Sequence, residues 1–61
     1  MIPKGAKVRA ARQLKVDDEV VPAGELGFVA RVEKDTLFPY MVNFETVKAV
    51  PVLAKEIVEV P

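Results

Sequence analysis

Short runs of strand-forming residues, each cut off by a turn-forming residue, constrain this 61-residue chain more than any other feature of its sequence. Lys4-Gly5-Ala6-Lys7-Val8-Arg9, Gly27-Phe28-Val29-Ala30-Arg31-Val32, Pro39-Tyr40-Met41-Val42-Asn43-Phe44 and Lys55-Glu56-Ile57-Val58-Glu59-Val60 follow one another in this way. Interrupted β-rich segments of this length predict a small, all-β, barrel-like architecture. In the first run Val8 and Ala10 point one way and Lys7 and Arg9 the other, because successive side chains of a strand alternate between its faces. Tyr40, Val42 and Phe44 alternate with Met41, Asn43 and Glu45, which marks a half-buried and central strand.

The remaining elements follow from local chemistry. Val29 and Val32 are three apart, so a bulge at Ala30 or Arg31 is needed to bring both to one face. Residues 13–24 form a long loop containing the acidic run Asp17-Asp18-Glu19 and a Pro22-Ala23-Gly24 turn, read as type I with Pro at i+1 and Gly at i+3. Its apolar residues Leu14, Val16, Val20 and Val21 predict that it folds back on the barrel. Lys34-Asp35-Thr36 is a turn. Val47 to Val52 is a fourth strand whose Pro51, lacking an N–H, belongs on an edge or at a bulge. Leu53-Ala54-Lys55-Glu56 is one 3₁₀ turn before a closing strand, Ile57 to Val60. An amphipathic helix over Val52 to Val60 is the alternative, disfavoured by β-branched residues and by the flanking Pro51 and Pro61.

Composition narrows the chemistry. The sequence contains no Cys, His, Ser or Trp. Disulfides, thiolate nucleophiles, the usual acyl-transfer triads and the common zinc ligand sets are thereby removed. A domain of this size also has little interior to spare for a deep catalytic cavity. No enzyme activity and no cofactor are expected. The absence of Trp disfavours recognition of polyproline helices. No apolar run is long enough to span a membrane and no signal-peptide pattern opens the chain, so a soluble, cytoplasmic protein without membrane insertion is expected.

Nine basic and nine acidic residues cancel overall, but not locally. Residues 1–15 carry Lys4, Lys7, Arg9, Arg12 and Lys15 with no acid, whereas residues 16–61 carry four basic and nine acidic side chains. Lys7, Arg9, Arg12 and Arg31 therefore form the candidate partner-binding face, suited to an acidic protein or a phosphate backbone. The alternative is a solvated strand face whose charges pair with Glu33 or Glu59 across the sheet. Asp17-Asp18-Glu19 lacks the alternating oxygen ligands, Gly and distal Glu of a calcium loop, and reads as solvated. Phe38 and Tyr40 flank Pro39 and could stack a base or fill a partner's pocket, or pack in the core.

The order of strand, long loop, three meander strands, 3₁₀ turn and short final strand resembles that of SH3-like barrels. Gly5-Ala6-Lys7-Val8-Arg9, Gly27 to Val32, Pro39 to Glu45 and Glu56 to Val60 are similar, in this order, to segments of the photosystem I reaction-centre subunit IV family and of the variable chain of ferredoxin-thioredoxin reductase. That resemblance covers nearly the whole chain and implies a single five-stranded SH3-like barrel domain over residues 1–61, with one 3₁₀ turn before the last strand. It implies a non-catalytic accessory subunit whose Lys7 and Arg9 dock an acidic electron-transfer partner such as a ferredoxin. Gly27 to Val32 equally resembles the KOW-type barrels, which would make the chain a nucleic-acid-binding module using the same basic residues on phosphates. Type II dihydrofolate reductases share this barrel type, but Val47-Lys48-Ala49-Val50 stands where their Val-Gln-Ile-Tyr segment would. A homo-oligomer paired through exposed edge strands is a further expectation.

Overall fold

The computed structural model describes residues 1–61 and consists of strands, turns and a single 3₁₀ turn. The strands are β1 (Lys7–Ala10), β2 (Leu14–Val16), β3 (Glu19–Val21), β4 (Leu26–Val32), β5 (Tyr40–Phe44), β6 (Val50–Val52) and β7 (Ile57–Glu59), with the 3₁₀ turn at Ala54–Glu56. Five of them form one curled antiparallel sheet in the order β6-β5-β4-β1-β7, and β2 and β3 form a separate two-stranded hairpin. The all-β reading holds and the helix over 52–60 does not form.

Alternation decides which side chains the curled sheet encloses. Val8 and Ala10 of β1, Val29 of β4, Tyr40, Val42 and Phe44 of β5, Val50 and Val52 of β6, and Ile57 of β7 point into one core. Leu14 and Val21, a directly opposed pair on the hairpin, complete it from the side, with Val47 from the β5–β6 loop. The loop of residues 13–24 thus folds back as expected, but as a ladder closed by a two-residue turn at Asp17-Asp18. Asp17 occupies the left-handed region there (φ 54°), which Asp tolerates better than most residues.

The predicted bulge is present. Val29 pairs with Val42 and Arg31 with Met41, leaving Ala30 as the extra residue, so Val29 and Val32 face the same way. Gly27 is required two residues earlier for a different reason. A Cβ there would lie 2.7 Å from the Asn43 carbonyl oxygen and 3.0 Å from the Phe44 ring, so β4 and β5 can approach this closely only without one.

Two local assignments are corrected. In the 22–25 turn the Glu25 N–H donates to the Pro22 carbonyl at 3.2 Å, and Gly24 has φ 88°. Pro22 is therefore at i and Gly24 at i+2, the left-handed position of a type II turn rather than the end of a type I turn. The fourth sheet strand is also shorter than expected, Val50–Val52, because residues 45–49 form a loop in which Ala49 adopts φ 56°. Pro51 lies mid-strand on the sheet edge, where its missing N–H removes no internal bond.

Candidate binding surfaces

The outer face of β1 and its neighbours presents two cross-strand rows. One runs Val58, Arg9, Leu26 and the other Lys7, Phe28, Asn43. Every one of these side chains is opposite a core-facing neighbour in sequence, which is why Phe28, flanked by buried Gly27 and Val29, is 56% exposed. Val58 is 55% exposed. Charged and apolar groups therefore alternate across the strands on a face that nothing in the chain covers.

The four basic residues singled out in the sequence do not form one strip. Lys7 and Arg9 share the outer face of β1, and Arg9 donates from Nη1 to the Gly24 carbonyl at 2.8 Å. Arg31 lies beyond the bulge of β4, and its Nε is 3.4 Å from Glu33 Oε1. Arg12 follows β1 and turns toward the 3₁₀ turn, where its Nη2 is 3.2 Å from Glu56 Oε2. Those two are the only ion pairs in the chain, so Lys7 and Arg9 have no carboxylate within pairing distance. Arg31 and Glu33 lie two positions apart along the same stretch of chain, so theirs is a local pair, and the expected pairing across the sheet with Glu33 or Glu59 does not form for Lys7 or Arg9.

A hollow of ≈ 280 Å³ beside this face is bordered by Lys7, Phe28, Asn43, Glu45 and Lys48. Lys48 is tied down, donating from Nζ to the Phe44 carbonyl at 2.7 Å, and the Asn43 Oδ1 accepts the Ala49 N–H at 2.8 Å. These contacts hold the β5–β6 loop next to Phe28.

A second and larger groove, ≈ 460 Å³, lies between the hairpin and β6. Arg12, Gln13 and Lys15 border it from the hairpin side, and Phe38 and Pro51 from the other. Phe38 is 47% exposed and Leu37 beside it 81%. Tyr40, in contrast, is buried, and its hydroxyl accepts the Ile2 N–H at 3.0 Å. The two rings flanking Pro39 therefore part company: Tyr40 packs in the core and Phe38 faces the groove.

Sequence reasoning missed Phe28 as a surface group, although strand parity with Gly27 and Val29 carried the signal. The acidic run Asp17-Asp18-Glu19 is the exposed hairpin tip, and no cluster of metal-ligating side chains occurs anywhere in the chain. No helix is long and apolar enough to cross a membrane. Comparison with protein-family models, with curated proteins and with solved structures finds no match to this chain.

Proposed function

We propose that this chain is a non-catalytic SH3-like barrel, closed by its hairpin, that serves as an accessory docking subunit for an acidic protein partner such as a ferredoxin-like redox protein. The order of long hairpin, three meander strands, 3₁₀ turn and a last strand that pairs back onto the first supports the barrel. One observation carries the docking function. Lys7 and Arg9, without a carboxylate partner, sit directly opposite the exposed Phe28 and Val58 on one uncovered sheet face. An apolar anchor set among unpaired cations suits a partner with a hydrophobic contact rimmed by carboxylates, where the ring supplies affinity and the charges supply steering.

A nucleic-acid reading draws on the same place, since an exposed ring beside an ammonium can stack a base and hold its phosphate. Zero net charge and the Glu45 carboxylate at the hollow's border weigh against it.

The two are separated by fluorescence anisotropy with a labelled ferredoxin and a labelled single-stranded oligonucleotide, each at low and at physiological salt. Ferredoxin should bind at low salt, weaken as salt rises, and be lost to a K7E/R9E double variant that keeps the wild-type circular dichroism. Binding of the oligonucleotide in its place would assign the face to phosphate recognition, and binding of neither would leave it a solvated surface.

A further inference from the structure

We infer that the groove between the hairpin and β6 is a second binding site, distinct from the β1–β4 face, that takes a short extended segment of another protein carrying carboxylates next to aliphatic or proline residues. Its volume, ≈ 460 Å³, falls within the range of about 300–1,000 Å³ of sites that enclose a small ligand or a few side chains. Its two sides differ in chemistry. Arg12 and Lys15 project from the hairpin, while Phe38 and Pro51 offer exposed apolar surface with the side chains of the core beneath them.

The charge in the groove is unbalanced. Glu56 is its only carboxylate, and both oxygens are already engaged: Oε1 accepts the Leu53 N–H at 2.8 Å and Oε2 faces Arg12 at 3.2 Å. Lys15 has no carboxylate within pairing distance. A ligand's acidic groups would therefore complement Lys15 and the outer side of Arg12, whose side chain remains 60% exposed despite its pairing.

Backbone pairing is not the mode of capture. β6 is the edge of the sheet, but it is three residues long and Pro51 at its centre cannot donate to a new strand. Recognition must rest on side chains: ring and pyrrolidine surface for an aliphatic or proline residue, and cations for its acidic neighbours. A second copy of this chain is a poorer occupant. Of the acidic segments it could offer, Asp17-Asp18-Glu19 is bent into a tight turn with Asp17 left-handed, and Glu59-Val60 is tied to β1, where the Val60 N–H donates to the Lys7 carbonyl at 2.8 Å, so neither is free to lie extended along the groove.

The test is a two-dimensional ¹⁵N–¹H titration of the whole chain with a synthetic peptide repeating Glu-Pro-Leu, against a counterpart repeating Lys-Pro-Leu. Shifts from the acidic peptide should cluster at residues 12–16, 37–38 and 50–52 and leave Lys7 and Phe28 unmoved. The basic peptide should shift none of them. Lys15→Glu should weaken binding by about tenfold or more, as reversal of a contacting charge does. Phe38→Ala should also weaken it, and since both residues are exposed, unchanged dispersion of the remaining peaks will show that the fold is kept. Equal shifts from both peptides, shifts at the β1–β4 face alone, or no shifts at all would overturn the proposal. So would concentration-dependent shifts at the groove without peptide, which would assign it to a second copy, or stronger groove shifts from an oligonucleotide.

Discussion

The five-stranded sheet and the two-stranded hairpin are built from equally short strands, yet they are held in different ways. The sheet contributes nine of the twelve core side chains, and its ladders run without a break from β6 to β7. The hairpin contributes Leu14 and Val21 and is otherwise fastened at its base, where the Ala11 N–H donates to the Glu56 carbonyl at 2.9 Å and Arg12 pairs with the Glu56 side chain. Stability is therefore concentrated in the sheet. The hairpin adds less to the core and supplies the cationic border of the larger groove. A loosely anchored element beside a rigid one is where binding surfaces are commonly found.

The largest test of this contrast is Phe44→Ala. Phe44 is the only Phe in the core and is fully buried, so its truncation should cost about 3–5 kcal/mol and leave the chain largely unfolded by thermal melt. A native-like melt would mean that the sheet does not carry the stability. Gly27→Ala comes next. The added methyl meets backbone on β5 that cannot swing away, and the loss should be about 1–3 kcal/mol by chemical denaturation, with the β4–β5 ladder the most perturbed in amide spectra.

Glu56→Ala probes the other side of the comparison. It removes a charge-assisted bond to the Leu53 N–H and a half-exposed pair with Arg12, for which about 1 kcal/mol is expected after solvent screening. The informative readout is local: amide exchange over residues 14–21 should quicken while β4 and β5 stay protected, and uniform quickening would show that hairpin and sheet open as one unit. The smallest effect should be a gain. Ala49 holds φ 56°, a conformation that costs a side chain about 1–2 kcal/mol, so Ala49→Gly should stabilise the chain by a few tenths of a kcal/mol once the glycine's greater unfolded freedom is subtracted. A loss of stability there would mean that the Ala49 methyl packs usefully in the β5–β6 loop.

Much of the sheet was legible in the chain because strand parity is a local property. The inward set on β1 and β5, the bulge before Arg31, the edge position of Pro51 and the 3₁₀ turn each follow from a few neighbouring residues and from the period of two. The hairpin was harder to read. Leu14 and Val21 signalled that residues 13–24 fold back, but pairing of two three-residue strands depends on their docking against the sheet and not on propensity alone. Val47 and Val50 look strand-like in sequence, so a strand is expected from Val47, whereas residues 47–49 belong to a loop and the chain turns between the two valines while still burying both.

For the binding surfaces the division is sharper. By itself the sequence determined that this chain has no thiol, imidazole or serine hydroxyl to build the common catalytic sites from, and that its first fifteen residues are basic. It determined that Lys7 and Arg9 share one face. Only the tertiary structure decided that Arg12 meets Glu56, forty-four positions away, and that Lys7 and Arg9 are left without an acid beside Phe28. The physical reason is that strand parity sets the face a side chain points from, whereas its charge partner and the groove it borders depend on segments that long-range packing brings alongside.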